Sequence, residues 1–306
     1  MIERVCVAGA GAIGSLFAGH LAEVCDVSVL VRRDEHAQAL NDEGLRVSGR
    51  SDRHARVRAT TDPAELGAAE LVIVACKGTD LESVASRLEG HARNASVMTV
   101  QNGLGAEDVV AGHGSWPLVS AVTFMSGTRH ADTHVEYVLD TATWLGPYRD
   151  TTFARCEEIA ELIRSSGLKA EAFADLRPAQ WSKLIFNATV NAVAALTGLR
   201  HDFHFADEST PAGLGHLVHE LVDEGKRVAA AVGVELREDP WEMNVLATRR
   251  GSAHYPSMLE DVDARRPTEI ELITGSLIRE AERVGVPVPL HTALYRLIKA
   301  KEAGYA

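Results

Sequence analysis

The chain of 306 residues is short of several things, and each shortage excludes a class of protein. Cysteine is scarce: Cys6, Cys25, Cys76 and Cys156 are scattered and form no C-x-x-C pair. That excludes a disulfide scaffold and predicts reduced thiols acting as small hydrophobes. Positive charge is short, with 31 Lys and Arg against 43 Asp and Glu, a formal net charge of −12. Such a surface does not attract polyanions, so neither nucleic acid nor an anionic membrane is the expected partner, although local basic pockets for a small anion are compatible with it. No uncharged apolar run reaches the roughly 18 residues of a membrane span. Glu3 and Arg4 interrupt the apolar stretch a signal peptide needs, so a cytoplasmic protein is expected. The 13 histidines show no metal spacing, no H-E-x-x-H and no Cys/His cluster, so no catalytic metal is expected. G-x-S-x-G is missing too.

What is present is the composition of a globular protein, 46% hydrophobic and 24% charged, long enough for one large domain or two ordinary ones. In the first half, short apolar runs read as strands: Val5–Ala8, Val27–Val31, Leu71–Ala75, Val97–Val100 and Leu118–Phe124. They alternate with amphipathic segments, Ile13–Ala22, Glu35–Asp42, Leu81–Leu88 and Ala106–Ala111. That order predicts a doubly wound α/β domain with a parallel sheet covered on both faces. His134–Val138 and Thr143–Leu145 read as antiparallel strands closing that sheet, followed by a helix near Phe153–Ser165 and a strand near Leu168–Phe173. From about Asp175 the strand signals stop. Arg177–Leu196, Leu214–Val232, a segment after Pro240, one near Met258, Glu269–Val284 and Thr292–Ala303 read as helices, with Arg200–Gly213 as a surface loop. The expected organisation is an α/β domain over residues 1–174 and an all-α domain over residues 175–306.

Gly9-Ala10-Gly11-Ala12-Ile13-Gly14 follows the first strand and opens the first helix, the context that gives G-x-G-x-x-G its meaning. Gly9 permits the tight turn, Gly11 lets backbone approach a pyrophosphate, and Gly14 lets the helix pack close to the strand. The free N–H groups at Ala12 and Ile13 then face the phosphates. This is a Rossmann-type nucleotide site. The second strand ends Leu30-Val31-Arg32-Arg33 rather than in an acid. Two guanidiniums can grip a ribose 2′-phosphate, with Arg32 first in line, so NADP is expected over NAD. Lys77 ends the third strand and Asn102 follows the fourth, in Gln101-Asn102-Gly103-Leu104-Gly105. Both sit at carboxyl ends of parallel strands, where ligands bind. A solvated lysine and an ordinary turn asparagine are the plain alternatives.

In the second half, Lys183, Asn187 and Asn191 are spaced i, i+4, i+8 along a helix, drifting about 40° per step. From Leu184 to Leu196 the only polar residues are Asn187, Thr189 and Asn191, so the helix is buried nearly all round and its amides need partners or a polar cleft. Either asparagine alone reads as structural; a lysine and two asparagines in line favour a site. Glu269 reads first as a first-turn acid after a Thr268 cap, and Ser257 as a helix start.

Taken together, these residues resemble the ketopantoate reductases (2-dehydropantoate 2-reductases) over the whole chain. The resemblance lies in Gly9–Gly14 with Arg32, in Gln101–Gly105 and in Lys183-Leu184-x-x-Asn187-x-x-x-Asn191. It continues in Ser257-Met258-Leu259, in Arg266-x-Thr268-Glu269-Ile270-Glu271, and in Gly285-Val286-Pro287-Val288-Pro289 through Leu297-Ile298-Lys299. It implies NADPH-dependent reduction of the 2-oxo group of ketopantoate to D-pantoate, on the route to pantothenate. It implies Lys183 as general acid, and Asn102, Asn187, Asn191 and Ser257 as residues that hold substrate or order the cleft. Glu269 would lie between cofactor and substrate, and Arg32 and Lys77 on the NADP phosphates. Asn102 and Gly127 are further implied cofactor contacts. A homodimer through the helical half is compatible, with no residue arguing for it.

The chain departs from the resemblance at Arg265, where relatives often have glycine, and over residues 237–255, where His254 and Tyr255 would face the substrate's far end. Three other readings compete. One is a reductase of the same architecture acting on another 2-oxo acid or ketone. Another is a β-hydroxyacid dehydrogenase, against which the chain lacks D-x-P-V-S-G-G. The third is a non-catalytic NADP(H) sensor, against which stands the set Lys183, Asn187 and Glu269.

Overall fold

Apolar runs without polar alternation need a sheet covered on both faces, and here they find one. The computed structural model describes residues 2–66, 69–249 and 255–305. Two units appear, Met1–Gln101 with Ala106–Leu176, and Asn102–Gly105 with Arg177–Ala306.

The first unit runs β1 (Arg4–Ala8), α1 (Ala12–Leu21), β2 (Asp26–Leu30), α2 (Asp34–Glu43), β3 (Leu45–Gly49), β4 (Arg53–Ala55) and β5 (Arg58–Thr60). It continues with β6 (Leu71–Val74), α3 (Leu81–Leu88), β7 (Ser96–Thr99), α4 (Ala106–Ala111), β8 (Leu118–Thr123), β9 (Ser126–Ala131) and β10 (His134–Leu139). It closes with β11 (Thr143–Tyr148), α5 (Phe153–Ser165) and β12 (Ala170–Ala172). The main sheet has the order β12-β11-β8-β7-β6-β1-β2-β5. Its strands from β5 to β8 are parallel, β11 runs antiparallel to β8, and β12 is parallel to β11. Val5, Val7, Val29, Leu71 and Ile73 share one core with α1, α2 and α5. The intervening Cys6, Ala8, Val72 and Val74 are just as buried, so both faces are covered.

One expectation fails here. His134–Leu139 does not close the main sheet but lies in a second sheet, order β4-β3-β10-β9, that packs on α1. Its burial explains the difference: Val135 and Tyr137 are buried while Val138 is 46% exposed, the alternation of a strand covered on one face only. Helix α1 is thereby sandwiched between two sheets, and Gly14 to Leu21 are all buried. A Cβ on Gly19 would lie 2.5 Å from Val47 Cγ2, so that close packing depends on glycine.

The second unit is helical: α6 (Arg177–Thr197), α7 (Leu214–Ala231), α8 (Pro240–Thr248), α9 (Ser257–Asp263), α10 (Thr274–Val284) and α11 (Pro289–Ala303). Each of the other five helices packs on α6, which is why its Leu184–Ala195 stretch is almost wholly apolar. Asp239 caps α8 by accepting from Trp241 N and Glu242 N, with Pro240 at the first helical position. Two boundaries differ from expectation. The segment 200–213 is no plain surface loop: His201 and Phe205 are buried in it, and His201 Nε2 lies 2.8 Å from Asn244 Oδ1. Helix α10 begins at Thr274, not Glu269: Thr268 accepts from Ile270 N and Ile273 N donates to Glu269 O, but Gly275 N donates to Ile270 O, five residues back, so this turn does not run on regularly into α10. Among the described residues no helix is long and apolar enough to cross a membrane.

Candidate active site

In the first unit the chain turns right after β1 and left after it reaches β6, so β1 and β6 flank a topological switch point. Doubly wound sheets bind ligands there. Gly9 leaves β1 at φ +105°, and a Cβ on it would lie 2.7 Å from Cys76 N. A Cβ on Gly14 would lie 1.9 Å from Gly9 O. Both glycines are therefore demanded by the protein's own packing. Gly11 is different: its Cβ would meet nothing within 4 Å. It stands at the N-cap of α1, which has no side-chain cap and no acid in its first turn. Open space above a helix N-terminus, with the N–H groups that follow unanswered by any side chain, fits a pyrophosphate.

Lys77 is exposed, just beyond the end of β6. Arg32, just beyond β2, has a side chain 68% exposed and donates to Asp80 Oδ1 at 2.8 Å. Arg33 Nη2 donates to both carboxylate oxygens of Asp132, at 2.7 and 2.6 Å. Arg32 and Arg33 are thus each paired with one carboxylate, and both side chains stay more than half exposed. Gly127 sits in β9 opposite Tyr137, where a Cβ would lie 2.8 Å from Glu136 O and 3.2 Å from Leu16 Cδ1. Packing on α1 accounts for glycine at that position.

The second unit gathers the polar residues of α6. Asn187 is buried and donates from Nδ2 to Asn102 Oδ1 at 3.4 Å, and Asn102 donates from Nδ2 to Glu269 Oε2 at 3.1 Å. Asn102 comes from far away in the sequence, and glycine makes its approach possible. Gly103 takes φ +96°, and a Cβ on it would lie 1.7 Å from Leu272 O, while Leu104 N donates to that same carbonyl at 3.0 Å. The tetrapeptide 102–105 is thus laid directly on the turn that carries Glu269. Burial pushes the Lys183 ammonium down to about 8, and the Glu269 carboxylate opposes that fall. Asn191 is buried one turn beyond Asn187, and Ser257 is exposed at the start of α9. Neither belongs to the Asn187–Asn102–Glu269 chain of hydrogen bonds.

A lysine near neutrality beside a carboxylate can give a proton at physiological pH and recover it. Where Lys183 is the acid, kcat/KM for a carbonyl reduction should stay flat at lower pH and fall as the pH rises through about 8. A pH–rate profile of the free enzyme checks this, and an alkaline limb near the ordinary lysine value would contradict it.

Some residues were not legible. Tyr255 donates its hydroxyl to Asp263, with the Arg200 guanidinium 5.4 Å from its ring centroid, and His254 lies outside the described residues. Arg265 adopts φ +50°, the left-handed conformation that glycine takes freely. Asp80, which holds Arg32, carries no signal in sequence that would pair the two.

Residues 5–150 match the family Ketopantoate reductase PanE/ApbA, and residues 175–302 match Ketopantoate reductase PanE/ApbA C terminal. The chain belongs to the ketopantoate reductase family. As a member it is an oxidoreductase acting on CH–OH groups. It is 31% identical to a 2-dehydropantoate 2-reductase of Halobacterium salinarum, over 97% of this chain and 98% of that one. The structure of a PanE/ApbA family ketopantoate reductase from Ralstonia eutropha superimposes with a TM-score of 0.89 at 25% identity, covering 99% of each chain. D-mandelate dehydrogenase, in a ternary structure with NADH and anilino(oxo)acetate, superimposes with a TM-score of 0.90 over 99% of each chain. At 23% identity that likeness shows the fold alone.

Proposed function

We propose that this ketopantoate reductase family member reduces the 2-oxo group of ketopantoate to D-pantoate with NADPH, a cytoplasmic step toward pantothenate. The observation that carries the reading is the Asn187–Asn102–Glu269 hydrogen-bond chain beside a Lys183 ammonium held at about 8. Gly9, Gly11, Ala12, Ile13 and Gly14 would hold the pyrophosphate, and Arg32 and Lys77 the phosphates, with Asn102 and Glu269 toward the nicotinamide end. When bound, NADPH supplies the hydride for the carbonyl carbon. Lys183 stabilises the negative charge that grows on the carbonyl oxygen and donates the proton that completes the alcohol. Glu269 keeps Lys183 charged against desolvation. Asn102 orients Glu269, and Asn187 orients Asn102. Asn191 and the Ser257 hydroxyl supply donors for the substrate's carboxylate. In an acidic protein, Arg32, Lys77 and Lys183 concentrate positive potential where anions bind.

A second reading keeps the chemistry and changes the acid. D-mandelate dehydrogenase shares the fold, so the fold is not tied to one 2-oxo acid. The test is NADPH oxidation by the purified protein with ketopantoate, 2-oxoisovalerate, pyruvate and oxaloacetate. We expect kcat/KM for ketopantoate to exceed the others by on the order of 100-fold or more, since the other acids lack its hydroxymethyl group and would leave the groups that meet it unpaired. Preference for another of these acids would establish the second reading. NADPH binding without turnover of any would point to a repurposed reductase of another substrate or to a sensor.

A further inference from the structure

We infer that α11 is a positioning element for the reaction: the Glu302 carboxylate grips the turn at Thr268 and thereby fixes Glu269 beside Lys183. The inference rests on the roles given above to Lys183 and Glu269.

The argument begins with the turn. Residues 268–273 precede α10 without being helical; Ile270 N and Ile273 N find acceptors within the segment, while the donors of Thr268 are answered from another helix. Thr268 is 3% exposed and donates both its backbone N–H and its hydroxyl to Glu302 Oε1, each at 2.7 Å. The same hydroxyl oxygen accepts from Ile270 N at 3.2 Å. The Thr268 hydroxyl thus both donates and accepts on one flank of Glu269, and the two bonds to Glu302 are charge-assisted, the stronger kind.

The other flank is gripped from the same helix. Glu271 accepts from the Tyr295 hydroxyl at 2.7 Å and pairs with Lys299 Nζ at 3.1 Å. Lys299 also lies 3.3 Å from Glu302 Oε2, and so ties the two carboxylates together. Tyr295, Lys299 and Glu302 stand one helical turn apart, on one face of α11. Other charged groups around the turn are Arg279, which donates to Glu271 O, and Tyr305, whose hydroxyl feels Glu302, Asp261 and Asp263. Helix α11 also rests on α6: Ile298 is fully buried, and Lys301 Nζ donates to Ala195 O at 3.1 Å. One helix thus braces both the element that carries Lys183 and the turn that carries Glu269. A purely structural Glu302 would affect stability alone. A positioning Glu302 must also affect the charge partner of Lys183.

The experiment compares pH profiles of kcat/KM for Glu302→Ala, Glu302→Gln, Thr268→Val and Glu269→Gln, with circular dichroism melts to show each is folded. Losing the Glu269 charge from beside Lys183 lets the ammonium fall further, so Glu269→Gln should move the alkaline limb to lower pH by about half a unit or more. Glu302→Ala should move it the same way, with kcat down about 10-fold and KM for NADPH within about 2-fold. Glu302→Gln keeps an acceptor for Thr268 and should restore the wild-type limb. Thr268→Val removes only the hydroxyl bond, should shift the limb less, and decides the matter where Glu302→Ala does not fold. A folded Glu302→Ala or Thr268→Val with an unmoved limb, beside a moved one in Glu269→Gln, would overturn the inference alone. An unmoved limb in Glu269→Gln would overturn the role of Glu269, and the inference with it.

Discussion

Lys183→Ala should lower kcat by about 100- to 10,000-fold, the range for loss of a general acid, equivalent to roughly 3–5 kcal/mol of transition-state stabilisation. The argument is electrostatic. Hydride addition puts a full negative charge on an oxygen, and the ammonium both answers that charge and ends it by protonation. Removing it leaves the Asn187–Asn102–Glu269 chain intact but inverts its effect, since the Glu269 carboxylate then faces the developing oxyanion with no cation between. Cofactor affinity should change little, about 2-fold or less, because the pyrophosphate contacts proposed here belong to the glycine loop and Arg32. The alkaline limb near 8 should vanish with the ammonium that produces it. Single-turnover kinetics with a separate NADPH titration distinguish chemistry from binding. A mutant with wild-type turnover would remove Lys183 from the mechanism.

For Arg32→Ala the expected effect falls on the cofactor. A charge-assisted bond between guanidinium and phosphate contributes about 1.5–3 kcal/mol, so kcat/KM with NADPH should drop roughly 10- to 150-fold while that with NADH barely moves. Asp80 enlarges the effect. It lies 2.8 Å from Arg32, and once the guanidinium is gone its carboxylate stands uncompensated where a 2′-phosphate would approach. Because Arg32 is 68% exposed, the discrimination should shrink in high salt. The measurement is the ratio of kcat/KM for the two cofactors, and an unchanged ratio would reject Arg32 as the discriminating residue.

The elements that the sequence makes legible are those whose burial is uniform. Strands β1, β2, β6, β7 and β8 are buried on both faces and mostly apolar, and α6 is mostly apolar because five helices pack on it. The glycine loop is legible because tight backbone contact permits no other residue at Gly9 or Gly14. The second sheet is not: β10 reads as a strand, but β3, β4 and β9 are largely polar and bury at most one face, and nothing local assigns β10 to them rather than to the main sheet.

The site divides along the same line. Local sequence determined that Lys183 and Asn187 share one face of a helix, since a spacing of four residues does so in any helix. It determined equally that a glycine-rich turn leads from the first strand into the first helix; the open space over Gly11 is a finding of the structure. Only the tertiary structure decided that Asn102 reaches Glu269, by laying the tetrapeptide 102–105 on the carbonyl of Leu272. It alone decided that Glu269 stands in a braced turn rather than in the first turn of α10, because the acceptor that holds Thr268 out of the helix is Glu302, a carboxylate on another helix. Periodicity reports what a residue does within its own helix or strand; partners that meet across the chain leave no periodic trace.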